Sequence, residues 1–159
     1  MAVYERSVLV EASFEEVWDF HATIDGLEAL TPGWMHLRVE KIHRPDGESA
    51  SEELTAGTAV TISIRPFGIG PRQHMRTRIT ERARHENRGY FRDEMAGGPF
   101  EAWEHTHRFS AEAGRTRIHD HIEYRLAGGR VGSLLSPLAD VGFAPIFWYR
   151  HKRTKELLE

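Results

Sequence analysis

The sequence predicts an α+β fold: a long antiparallel run of strands with helices kept to its two ends. Three observations carry this. From about residue 36 to residue 124 apolar side chains recur at alternate positions, the period of half-buried strands. Ahead of that run, Ser13-Phe14-Glu15-Glu16 spells a helix start. Beyond it, from Ser136 onward, apolar residues recur at helical spacing.

The elements follow in order. Val3 to Glu11 alternates, with Val8 and Val10 in one phase, and reads as a first strand. Ser13 is the N-cap of a helix, Glu16 completes a capping box, and Ala12 with Val17 forms a weak staple across it. Phe14, Val17, Trp18 and Ile24 continue at helical spacing, and a second short helix is expected near Asp25 to Leu30, before Thr31-Pro32-Gly33-Trp34. His36 to His43 is a strand, and Arg44 to Thr58 the longest loop. Ala59 to Arg65 is a strand with Val60, Ile62 and Ile64 inward, followed by a turn over Pro66 to Pro71. The turn tip carries Phe67 and Ile69, as a cavity lid or as loop residues that fold back. Gln73 to Arg84 points Met75, Thr77 and Ile79 one way, with Arg76 and Arg78 opposite. Tyr90 to Ala96, a turn at Gly97-Gly98-Pro99 and a final hairpin complete a sheet of about seven strands.

The last segment is a long helix. Ser136 is its expected N-cap, Pro137 its first position, and Pro145 a kink. Leu138, Val141, Gly142, Pro145, Ile146 and Tyr149 form its expected buried stripe. One helix cannot cover the apolar face of a curved sheet this large. A cavity between them is the physical consequence.

The whole chain sets bounds on function. Its 159 residues suit one domain, 1–159, large enough for a real core. A net charge of −3 gives no footprint for nucleic acid. The absence of cysteine excludes disulfides, thiolate metal sites and a cysteine nucleophile. The N-terminus has no signal-peptide pattern, and no apolar run approaches the ~20 residues of a membrane span. A cytoplasmic protein with no integral membrane segment is the expectation, with oligomeric state open.

Several stretches together resemble the START-like, or polyketide cyclase/dehydrase (SRPBCC), superfamily. They are Val8-Leu9-Val10-Glu11-Ala12-Ser13-Phe14-Glu15-Glu16-Val17-Trp18-Asp19-Phe20-His21, Leu30-Thr31-Pro32, and Gly98-Pro99-Phe100 through His105-Thr106-His107-Arg108-Phe109. Gly114 to Thr116, Asp120, Tyr124 and Tyr149-Arg150-His151 extend the likeness. The resemblance implies a helix-grip fold, a curved sheet wrapped around a long C-terminal helix, with one or two short helices after the first strand. It further implies a hydrophobic cavity for a lipid, a polyketide or a similar molecule. No single activity transfers with the fold.

Strand parity selects the site. Trp103, His105, His107 and Phe109 share one face, as do Phe91, Asp93 and Met95 on the strand before, and Ile118, Asp120, Ile122 and Tyr124 on the strand after. A four-residue loop Glu112 to Arg115 would set His107 opposite Asp120; a tighter loop would set His105 there. Either register brings an imidazole within about 5 Å, Cβ to Cβ, of a carboxylate. The expected ligand-binding set is Met75, Phe91, Asp93, Met95, Trp103, His105, His107, Phe109, Asp120, Ile122, Tyr124 and Tyr149. Such a His–Asp network equally serves to satisfy buried polar groups and fix register.

Three functions remain open. The first is binding of a small lipophilic molecule between sheet and C-terminal helix, with its polar end oriented by the His and Asp groups. The second is a cyclase or dehydratase that uses His105 or His107 with Asp120 as general acid and base, with Tyr124 donating to a developing enolate. The third is a protein-interaction module. No cofactor and no metal are expected: Glu112 falls in a turn away from the cavity, and His119 and His121 have the solvent-facing phase, which leaves His105 and His107 with Asp93 or Asp120 as the one facial triad available in principle. Arg150-His151-Lys152-Arg153 reads as a solvated helix end.

Overall fold

The computed structural model describes residues 1–45 and 53–159. Seven strands form one antiparallel sheet: β1 (Ala2–Val10), β2 (Arg38–His43), β3 (Ala59–Ile64), β4 (Gln73–His85), β5 (Arg88–Gly97), β6 (Phe100–Glu112) and β7 (Arg115–Leu126). Their spatial order is β1-β7-β6-β5-β4-β3-β2, so β2 to β7 form a meander and β1 closes beside the last strand. The helices are α1 (Phe14–His21), α2 (Ile24–Ala29), α3 (Gly129–Leu135) and α4 (Asp140–Leu158). This is the helix-grip architecture.

Local chemistry accounts for the element ends. Ser13 accepts from the Glu16 backbone N–H while Glu16 reaches back to the Ser13 N–H, the expected capping box. Thr23 caps α2 in the same way through Gly26 N. Between β6 and β7 only Ala113 and Gly114 turn the chain, with φ of 51° and 81°. Two left-handed residues match the twist of a hairpin, and Gly114 is the one that adopts that conformation without steric cost. Register shifts in β2, β4, β5 and β6 mark bulges, which bend a sheet and help it wrap.

Two apolar clusters anchor the inner face. Val10, Val17, Trp18, Phe109 and Ile118 join α1 to the sheet. Ile122, Tyr124, Phe143 and Phe147 join α4 to it. The helices rest chiefly on β1, β6 and β7, leaving the inner faces of β3, β4 and β5 to a hollow. The cover is partial, as the area argument requires.

The C-terminal segment departs from expectation. Ser136–Ala139 is a 3-10 turn rather than the helix start, α3 precedes it unforeseen, and α4 begins at Asp140. Pro145 lies inside α4 without ending it. The buried residues of α4 are Phe143, Phe147, His151 and Thr154, whereas Leu138 and Val141 of the expected stripe are 65% and 77% exposed. The helical run Gly129–Leu158 contains an 18-residue window of mean hydropathy 1.3, long and apolar enough by length and composition alone to cross a membrane, a test that the core helix of a soluble protein passes as well. Its inward face nevertheless packs on the sheet as a core helix does. Phe67, 69% exposed, stacks on Trp34 at 5.0 Å between ring centroids, away from the described wall of the cavity. Of the expected 44–58 loop, residues 46–52 lie outside the described residues.

Candidate ligand-binding site

The hollow is a cavity of about 330 Å³. Its walls come from α2 (Leu27), the segment behind it (Leu30, Met35), β3 (Val60, Ile62, Ile64), β4 (Met75, Thr77, Ile79) and α4 (Phe143, Ile146, Phe147). These side chains are apolar almost throughout. The charged and imidazole groups cluster together, on β5, β6 and α4: Asp93, His105, His107 and Arg150, with His21 of α1.

The hairpin register is the first alternative. His107 pairs with Asp120 and His105 with Ile122, while Asp93 faces His105 across β5 and β6. Buried Asp120 is the hub. Its Oδ1 accepts from His105 Nε2 at 2.8 Å and lies 2.7 Å from His107 Nδ1. Its Oδ2 lies 2.5 Å from His151 Nε2, which reaches over from α4. Asp93 sits on the cavity side of the two imidazoles, its Oδ2 3.5 Å from His107 Nε2 and 3.8 Å from His105 Nδ1. Thr77 donates to Asp93 Oδ1 at 3.3 Å. The two imidazole rings lie 3.6 Å apart between centroids, and Phe91 stacks on His107 at 4.3 Å.

Electrostatics divides the labour. Burial pushes Asp120 up, but the His107 charge and the hydrogen bonds from three histidines outweigh it, holding its carboxyl well below the usual range. Asp93 is likewise lowered: burial raises it, and His107 and His105 more than reverse that. His107, penalised by burial, is raised by the carboxylates on either side. His105 is lowered, by burial and then by the neighbouring His107 charge. The arrangement favours the charged form of His107, between two carboxylates, and the neutral form of His105 beside it. Two such groups with opposed preferences are equipment for orienting a polar ligand or for moving a proton.

The same atoms could hold a metal ion. One ligand atom each from Asp93, His105 and His107 lie within 4.8 Å of one another, a two-histidine, one-carboxylate set. Glu112 is engaged by Arg117 in the turn, and His121 by Glu5 on the outer face, so neither joins this set.

The predicted residues separate cleanly. Met75, Phe91, Asp93, Met95, Trp103, His105 and His107 line the cavity. Asp120 lies behind the histidines, not on the wall. Ile122 and Phe109 are packed in the clusters beneath α4 and α1. Tyr124 is buried with its hydroxyl 2.6 Å from both Ser136 O and Asp140 Oδ1, so its proton is spent inside the fold and the enolate role is withdrawn. Tyr149 is half-buried off the cavity wall, because the buried face of α4 is rotated from the expected stripe.

Three residues were missed. Arg150 and His151 point inward rather than forming a solvated helix end. His21 lines the cavity, with Nδ1 2.8 Å from Val17 O and its pKa pulled down to about 3, chiefly by burial. The aromatic pair Phe143 and Phe147, four apart, was the available signal for the true α4 face, and it carries His151 inward with it.

Solved structures share this fold across the whole chain. Protein CV1439 from Chromobacterium violaceum is 12% identical with a TM-score of 0.72, covering 100% of this chain and 99% of its own. Norcoclaurine synthase from Thalictrum flavum, solved as a point mutant with a transition state analogue, is 16% identical with a TM-score of 0.68, covering 99% and 93%. Protein Ms6760 from Mycobacterium smegmatis is 18% identical with a TM-score of 0.65, covering 98% and 90%. No curated protein matches the chain. A family model described as polyketide cyclase / dehydrase and lipid transport matches residues 10–141. That match runs from the last residue of β1 to the start of α4, and the chain belongs to this polyketide cyclase / dehydrase and lipid transport family.

Proposed function

We propose that the protein binds a small lipophilic molecule in the cavity between β3–β6 and α4, with Asp93, His105 and His107 orienting its polar end. The observation that supports this most is the composition of the cavity itself: walls that are apolar for the most part, with the charged and imidazole side chains clustered together. Burial of an apolar ligand contributes about 25 cal/mol per Å², from which the cost of association is subtracted. Asp120 and His151 act behind the wall as positioning residues. The reading carries the expectation of a soluble, cytoplasmic protein.

Native mass spectrometry with organic extraction tests it, first on freshly purified protein and then with added decanol. A one-to-one complex that disappears in the cavity-filling variant Ile62→Trp is the expected result. No complex with any apolar compound, or one that survives the filling, contradicts the proposal.

One observation favours a second reading, proton transfer on a bound carbonyl compound: His107 is held between two carboxylates, one of them facing the cavity. The two readings divide on kinetics. In an enzyme, His107→Gln abolishes turnover and barely alters binding; in a carrier it weakens binding and no turnover exists.

A further inference from the structure

Among the described residues, Arg150 is the cavity group whose hydrogen-bonding capacity is unspent. It lies on α4 beside His151 and lines the polar end of the hollow. Among the described residues its guanidinium makes no hydrogen bond and no ion pair; Thr154 bonds only to its backbone carbonyl. What its side chain touches is the Phe147 ring, 5.8 Å from guanidinium carbon to centroid. The other polar groups of that end are engaged: Asp93 with Thr77 and the histidines, His105 and His107 with Asp120, and His21 with Val17 O.

A half-buried guanidinium with five free donors is costly unless something pairs with it. Its planar fork matches a carboxylate, which it binds through two parallel hydrogen bonds. The neighbourhood limits the charge that can enter. Among the described residues lining the cavity one cation is free, and Asp93 stands on the same wall, so a dianion such as a phosphate monoester would leave a second negative charge facing a carboxylate.

We propose that the cavity takes a lipophile ending in a single carboxylate, with Arg150 as its anchor. This rests on the reading of the cavity as a lipophile site and names the class of molecule it takes. Alkyl acids, and polyketide-like acids with one terminal carboxyl, have this chemistry.

Calorimetric titration with decanoate, decanol and methyl decanoate at about pH 8, above the carboxyl range, separates the parts of the proposal. The native protein is expected to bind decanoate at least about tenfold tighter than decanol or the ester, the value of a charge-assisted bond. Arg150→Gln removes that advantage and leaves decanol within about twofold, which also shows that the variant is folded; Arg150→Lys keeps part of it. Equal affinity for acid and alcohol in the native protein overturns the proposal, as does a preference that survives Arg150→Gln. Decanol binding in those two cases keeps the lipophile reading intact. Binding of none of the three overturns both.

Discussion

His151 Nε2 lies 2.5 Å from Asp120 Oδ2, fastening α4 to β7 directly behind the polar end of the cavity. Asp120 thereby joins three histidines from two elements, and the helix that walls the cavity is held by the same carboxylate that orients its imidazoles. Among the described residues His151 Nδ1 has no partner, and because the Asp120 carboxylate can only accept, the hydrogen between them sits on Nε2.

Removing this hub should be expensive. Asp120→Ala leaves three histidines without their acceptor in a buried site, and a loss of about 3–5 kcal/mol in urea unfolding is expected. Glu101→Gln, which breaks the exposed pair with Arg125, should cost no more than about 1 kcal/mol. Equal small effects would show that the network contributes little.

Stability should peak near neutral pH. His21 and His105 have folded pKa values below the unfolded one, so the unfolded chain takes up protons on both as pH falls through about 6.5. Stability present above that pH is lost progressively below it. His107 has the opposite sign: its contribution is complete below about 6.5 and is lost as pH rises through its raised folded value. Asp93 and Asp120 add stability above about pH 4 that goes as pH falls through their lowered values. Urea midpoints across this range should trace a maximum, with the acid limb flattened in His21→Gln. Imidazole NMR should find His21 uncharged at about pH 5; a protonated ring there contradicts the assignment.

Gly26 sets how closely α2 lies over the end of α1. A Cβ at this position would overlap the Phe20 backbone carbonyl oxygen, which no side-chain rotation relieves. Gly26→Ala should therefore destabilise, by about 1–3 kcal/mol, despite the better helix propensity of alanine. Because Gly26 lines the cavity, the variant should also weaken apolar ligand binding. A rise in thermal midpoint would show that α2 moves freely.

Period two made the sheet legible. Trp103, His105 and His107 alternate with Glu104, Thr106 and Arg108, which take the opposite face although Thr106 is itself buried, and the parity that turns them inward is fixed by the pleat. Glu112 and Arg115 flank the turn, and their pairing fixed the His107–Asp120 register. The helix was harder, because its apolar content misleads: Leu138 and Val141 are exposed, while the face that meets the sheet carries His151 and Thr154. A buried stripe that turns polar after Phe147 leaves only the Phe143–Phe147 pair as a hydrophobic period to read. Arg150 and His151 were therefore placed in solvent, and the hub lost its third histidine. Tyr124 had the right parity for the cavity, but Ser136 and Asp140, brought over it by an unforeseen α3 and 3-10 turn, claim its hydroxyl.

The central claim is an interior hollow that admits an apolar molecule, and methyl NMR during a decanol titration tests it most directly. The methyl groups of Met75, Met95, Ile62 and Ile64, spread over three strands, should shift together and saturate at one equivalent. Shifts confined to exposed Val131 and Leu134, or none that saturate, would contradict it.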